Sequence, residues 1–189
     1  MTIKPKLAHV VLQTNQLQAM RAFYLTLLEA EVVHENTMLC FITFDDEHHR
    51  VALFQPPIGE LPERTPLTVG LAHVAYSYGS LGELMATYAR LKHAGITPRA
   101  PVQHGVTTSL YYRDPDGNMV ELQVDNFDSP AAATAYMQGE EYAADPVGPS
   151  FDPDRMAEAC AKGVDAEELK SRRWALQSPQ LNVLELLAT

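Results

Sequence analysis

The tetrapeptide Leu7-Ala8-His9-Val10 recurs as Leu71-Ala72-His73-Val74, and each copy opens the same series of patterns. After the first copy, a strand-like run from Leu7 to Gln13 leads into a helical pattern opening at Asn15. Leu17, Met20, Tyr24, Leu27 and Leu28 fall on one face of it. Strand-like runs follow at Glu31 to Glu35, Met38 to Phe44 and Arg50 to Gln55. A proline-rich connector, Gln55 to Pro66, then separates the halves. After the second copy, Ser80 and Glu83 form a capping box for a helix whose apolar face is Leu81, Leu84, Met85, Tyr88 and Leu91. Gly95 stands where a helix-terminating glycine belongs. Strands are expected at Thr97 to Ala100, Thr107 to Arg113 and Met119 to Asp125, with Asp114-Pro115-Asp116-Gly117 as the turn between the last two. Each half therefore reads βαβββ. One such half leaves a sheet face uncovered, so the expectation is an α+β fold. Two modules, 1–60 and 67–126, would pair into one cupped mixed sheet, forming a domain over residues 1–126.

From Asn126 the pattern changes. Residues 127–189 carry 11 acids and 5 bases, a net −6 of the chain's −10. They read as a helical C-terminal extension. Asp152-Pro153 opens one helix that Gly163 ends, and Asp165 with Glu168 opens another that ends in Lys170, Arg172 and Arg173. The segment Ala144 to Pro149 reads as irregular crossing chain. The extension has no histidine, so it is expected to pack onto the core or a partner subunit and to supply no metal ligand. Its apolar faces make a homo-oligomer the expected assembly.

The acidic balance argues against nucleic acid or an anionic membrane as the main partner, since both need clustered Lys and Arg. No apolar run approaches the roughly 20 residues of a membrane span. Met1 to Lys6 show no hydrophobic stretch of the signal-peptide kind, so a cytoplasmic location is expected. Two cysteines, Cys40 and Cys160, do not make a disulfide framework.

His9, His73 and Glu121 carry the strongest hint of chemistry. The histidines hold equivalent places in the repeat. Glu121 lies mid-strand between Val120 and Leu122, where an unpaired carboxylate is costly to bury. Two imidazoles and one carboxylate with open positions form the facial triad of non-haem Fe(II) oxygenases.

The stretch Val102-Gln103-His104, Leu110-Tyr111-Tyr112-Arg113-Asp114-Pro115-Asp116-Gly117 and Glu121 resembles the signature of type I extradiol ring-cleavage dioxygenases, members of the vicinal oxygen chelate superfamily. Glu47-His48-His49-Arg50-Val51-Ala52-Leu53 is similar to the His-His segment of catechol-cleaving members. The resemblance covers roughly the first 126 residues. It implies His9, His73 and Glu121 as metal ligands, with Fe(II) as the cofactor and Mn(II) as a possible substitute. It also implies His49 beside the dioxygen position, and His104 and Tyr111 in contact with the oxygens of an aromatic diol. The reaction implied is extradiol cleavage of a catechol or biaryl diol by O2. The competing readings are an O2-independent isomerase, lyase or thiol transferase of the same superfamily, and a drug-sequestering resistance protein.

Two finer expectations follow. Aligning the turns at Asp45 and Asp114 sets Ala52 opposite Glu121 in the repeat, so the first half offers no fourth ligand. An apolar cup face of Val11, Ala52, Phe54, Ala75 and Met119 would then suit a flat ring. Strict strand alternation from Ala52 would turn His48 inward, whereas the resemblance favours His49. A turn or bulge before Arg50 would reconcile them, and His49 is the expected inward residue.

Overall fold

The computed structural model describes residues 4–65 and 68–188. Its contacts divide the chain into two units. Unit 1 holds the residues up to Thr65 together with Asp114–Asn118, and unit 2 holds the remainder.

Unit 1 contains β1 (Val10–Gln13), α1 (Leu17–Leu28), β2 (Glu31–Glu35), β3 (Leu39–Thr43) and β4 (Val51–Phe54). The strand order is β1-β4-β3-β2, with β1 parallel to β4 and the other pairs antiparallel. Leu17, Met20, Tyr24 and Leu27 are buried, as the helical spacing predicts. The helix starts two residues later than expected because Asn15 is engaged elsewhere: its amide donates to the Leu61 carbonyl and accepts from the Leu61 N–H, both at 2.8 Å.

The Asp114–Asn118 turn packs within this unit. Asp114 is buried and accepts from the N–H groups of Asp116 and Asn118, the Asn118 amide and the Tyr24 hydroxyl. Gln16 donates to the Pro115 carbonyl and to Asp116. Gly117 takes φ 82°, the left-handed conformation that suits glycine at a turn's end.

Unit 2 repeats the order with β5 (His73–Tyr78), α2 (Leu81–His93), β6 (Ala100–Gln103), β7 (Thr107–Arg113) and β8 (Met119–Asp125), arranged β5-β8-β7-β6. The Ser80/Glu83 capping box is formed, an arrangement whose serine alone is worth about 1 kcal/mol. The α+β reading with two βαβββ halves thus holds, and backbone hydrogen bonding sorts the strands into two four-stranded mixed sheets.

The strand expected at Thr97 to Ala100 lies instead at Ala100–Gln103. Its register, Ala100 opposite Tyr111, would set Pro98 opposite Arg113, and a proline there has no N–H to give the ladder, while Thr97 lies beyond the end of β7. Pro101 is tolerated because β6 is the edge strand of the β-sheet.

The extension supplies α3 (Pro130–Met137), α4 (Glu140–Ala144), α5 (Pro153–Ala161), α6 (Ala166–Leu169), α7 (Arg172–Ala175) and α8 (Val183–Ala188). Helix α5 packs on α2, where Asp154 accepts from the Tyr88 hydroxyl at 2.7 Å and pairs with Lys92. The single helix expected from Asp165 to Arg173 is broken at Lys170. Ser171 caps a new helix by accepting from the Trp174 N–H, so Arg172 and Arg173 open a helix rather than close one. The irregular segment after α4 runs along the free edge of β6: Gln103 N–H donates to the Pro149 carbonyl and Phe151 N–H to the Pro101 carbonyl. Cys40 and Cys160 are free thiols. No helix among the described residues is long and apolar enough to cross a membrane.

Candidate active site

In unit 2 the strand registers line up one row of side chains, Ala75–Glu121–Tyr111–Ala100, with His73 and Met119 paired one step away on the same face. Glu121 is 4% exposed. Its Oε2 stands 3.0 Å from His73 Nε2. The Glu121 hydrogen bond raises the His73 pKa above its ordinary value, against an opposing effect of burial. Burial likewise pushes the Glu121 carboxyl up, but His73 and the Ser109 hydroxyl outweigh it and hold it below the usual carboxylate range.

Tyr111 presents its edge to His73, with ring centroids 5.5 Å apart. Burial, then the Glu121 charge, raises the pKa of its phenol, so Tyr111 stays protonated at neutral pH. Beyond it, His104 Nε2 lies 2.9 Å from the Tyr111 hydroxyl, and His104 Nδ1 lies 2.6 Å from the Val147 carbonyl. Burial is the largest influence on His104 and lowers its pKa, favouring the neutral ring. His73, Glu121, Tyr111 and His104 therefore form one continuous polar chain.

In unit 1 the corresponding row is Val11–Ala52–Phe41–His34. Val11 and Ala75 are equivalent in the repeat, and they pair with Ala52 and Glu121 respectively. A methyl group thus stands where the second half has its carboxylate, as the alignment of turns predicts. Phe41 likewise replaces Tyr111.

His9, exposed just before β1, stacks on His49 with centroids 4.3 Å apart, and His49 stacks on Phe41 at 4.6 Å. Residues Glu47 to His49 bend away before the ladder, which Arg50 enters by donating to the Ile42 carbonyl and accepting from the Val10 N–H, and this bend releases the alternation. His49 is consequently buried, 9% exposed, while the His48 side chain is 69% exposed. Burial, followed by the nearby His9 and His48 rings, lowers the His49 pKa. His48 reaches His49 through an Nδ1–Nδ1 contact of 2.6 Å, so one of the two rings carries a proton there.

The chemistry of the donor set suits a divalent cation. Two ligands with bonds of about 2.1 Å meeting at a right angle stand about 3.0 Å apart, the spacing of His73 Nε2 and Glu121 Oε2. Among the described residues, no three His, Cys, Asp or Glu side chains gather into a group able to hold a metal ion. His73 and Glu121 come together in unit 2, and His9 belongs to unit 1.

Residues 6–122 match the family described as the Glyoxalase/Bleomycin resistance protein/Dioxygenase superfamily. The chain belongs to this superfamily. Over all 189 residues, covering 100% of both chains, it is 61% identical to a Rhodococcus globerulus protein named biphenyl-2,3-diol 1,2-dioxygenase 3. Over 178 residues it is 54% identical to biphenyl-2,3-diol 1,2-dioxygenase 2 of the same organism, covering 94% of this chain and 93% of that one. Among solved structures it is similar in fold to a glyoxylase/bleomycin resistance protein/dioxygenase domain from Frankia sp. EAN1pec. That likeness has a TM-score of 0.55 and 20% identity, covering 67% of this chain and 96% of that one.

Sequence reasoning missed the part the extension plays at this superfamily fold. Val183 of α8 packs with Tyr111, Met119, Ala100 and Val102, joined by Val147, Leu186 and Leu187. The C-terminal helix thus covers the sheet face that bears Glu121. The spacing of Val183, Leu186 and Leu187 is a helical signal that could have marked an apolar face, though not its destination.

Proposed function

We propose that this chain is an extradiol dioxygenase that opens the ring of an aromatic vicinal diol with O2, biphenyl-2,3-diol being the model substrate. Its metal would be held by His9, His73 and Glu121, with Fe(II) as the physiological ion and Mn(II) as the alternative. The observation that carries this reading is the end-to-end 61% identity to a protein named for that reaction. The metal, when bound, would supply Lewis-acid charge that makes a diol hydroxyl more acidic, and open positions for two diol oxygens and O2.

The chain's own groups do the rest. Tyr111, kept protonated, would turn its one hydroxyl proton to a substrate oxygen and so release the His104 Nε2 lone pair that it faces in the substrate-free chain. His104, kept neutral by burial, offers Nε2 to take up a proton. His49 is also kept neutral, between Phe41 and His9, and can hold or pass a proton beside the dioxygen position. Met119 and the residues of α8 that pack with it exclude water and give the non-reacting part of the diol an apolar wall.

The test is anaerobic Fe(II) loading of the full chain, then O2 uptake with a panel of diols that includes biphenyl-2,3-diol and catechol. One O2 consumed per diol with the visible absorbance of a ring-opened semialdehyde supports the proposal. No uptake with any diol, together with isomerisation of a glutathione hemithioacetal, would favour the O2-independent reading.

A further inference from the structure

Resting on the assignment of His104 to the reaction, we propose that Arg172 is a positioning residue that locks the crossing chain against His104 and fixes that ring as its Nδ1–H tautomer. Arg172 Nη2 donates to the His104 carbonyl and to the Asp145 carbonyl, each at 2.7 Å. One planar guanidinium therefore bridges the strand end that carries His104 and the segment that passes beside it. Two residues beyond Asp145, the Val147 carbonyl meets His104 Nδ1.

The far side of Val147 is fixed as well. Gly148 has φ 85°, and a Cβ there would lie 2.0 Å from the Gln103 carbonyl oxygen. Gln103 N–H donates to the Pro149 carbonyl at 2.9 Å. The Val147 carbonyl is thus held from both directions, by Arg172 through Asp145 and by β6 through Gly148 and Pro149.

The chemical consequence is definite. A carbonyl oxygen can only accept, so Nδ1 must carry the proton. In the neutral ring Nε2 then carries a lone pair that faces the Tyr111 hydroxyl 2.9 Å away, whose one proton is shared between Nε2 and the Glu121 carboxylate. His104 is presented as a base whose basic nitrogen faces Tyr111 and the sheet face of Glu121. In the other tautomer a lone pair would face the Val147 oxygen, and Nε2 could take up no proton from a substrate.

Long-range ¹H–¹⁵N spectra of the full chain with ¹⁵N-labelled histidine read the tautomer directly, with His104→Gln assigning the signal. The wild-type ring should be protonated at Nδ1. In Arg172→Gln the signal should move toward the Nε2–H form, and kcat for the diol should fall about tenfold or more with KM little changed, as for loss of general base function. Arg172→Lys, which keeps the charge but not the planar fork, should recover part of both. Gly148→Ala should move the tautomer with Arg172 intact, which guards against a folding defect peculiar to the arginine variants. A wild-type His104 protonated at Nε2, or an unchanged tautomer in folded Arg172→Gln and Gly148→Ala, overturns the proposal. The tautomer is read without diol or O2, so its outcome is independent of whether the ring-cleavage reading survives.

Discussion

Below the His73 pKa, lowering the pH should weaken metal binding by about a factor of ten per unit, and the cause should be His73. With His73 as a proposed ligand, metal uptake has to displace any proton it holds, because a ligating imidazole must be neutral. Its Nε2 lies 3.0 Å from Glu121, and that hydrogen bond, together with the carboxylate's charge, raises the His73 pKa above the ordinary 6.5. The sign follows from linkage. A folded-state pKa above the unfolded one means the ion pair stabilises the metal-free fold below about pH 6.5. That contribution is lost as the pH rises through the folded value. The metal therefore competes hardest with the proton in acid. Below the His73 pKa each pH unit multiplies the apparent Kd by about ten, or about 1.4 kcal/mol, for one proton displaced. Glu121→Gln removes the charge and leaves at most a neutral hydrogen bond while burial remains, so the His73 pKa should fall and the steep region should move to lower pH. Overall affinity should drop with the loss of the proposed anionic ligand. Anaerobic titration calorimetry with Fe(II) or Mn(II), in buffers of different ionisation heat, measures both the Kd and the protons released. A wild-type Kd unchanged between about pH 5.5 and about pH 6.5, or wild-type affinity in Glu121→Gln, refutes the reasoning.

Three further outcomes are expected. His49→Gln should retain metal and diol binding but slow O2-dependent turnover by about 10²-fold, while His48→Gln, at an exposed ring, should have a small effect; single-turnover O2 kinetics with the reverse ranking would contradict the inward placement of His49. Tyr24→Phe removes a donor to the buried Asp114 and should cost about 1.5–3 kcal/mol, or about 3–12 °C in Tm, at pH 7. Burial is the largest influence on the Asp114 pKa and raises it, so the charged form is the one that needs the Tyr24 donor. The loss should shrink as the pH falls through that value, and urea melts showing a larger loss in acid would disprove this account. Val183→Ala should cost about 1.5 kcal/mol and shift the preference between one-ring and two-ring diols, whereas unchanged relative kcat/KM values would separate α8 from the substrate wall.

The local elements and the repeat were written in the sequence because both depend on nearest neighbours. Leu17, Met20, Tyr24 and Leu27 recur at helical spacing, and Ser80 with Glu83 closes a cap three residues apart. The equivalence of Ala52 and Glu121 was legible for a related reason, since two copies of one pattern share a register. His49 could be placed only by weighing a resemblance against alternation. The physical answer is the Glu47 to His49 bend, which frees the chain from the ladder until Arg50 hydrogen-bonds to Ile42 and Val10.

What the tertiary structure alone decided involves long-range partners with no local periodicity. The Asp114–Asn118 turn reads as a simple hairpin connection, yet Tyr24, 90 residues earlier, supplies a donor to its buried carboxylate. Arg172 reads as a cation ending a helix, but Ser171 offers its hydroxyl to the Trp174 N–H and starts a new one, which leaves the guanidinium to grip the His104 carbonyl 68 residues away. Val147 contributes a backbone oxygen, an atom every residue possesses, so its identity carried no sign of its role. Helical spacing shows that α8 has an apolar face, but only the packed chain shows that this face is spent on Tyr111 and Met119, because hydrophobic burial is non-directional and takes whichever apolar surface the fold brings within reach.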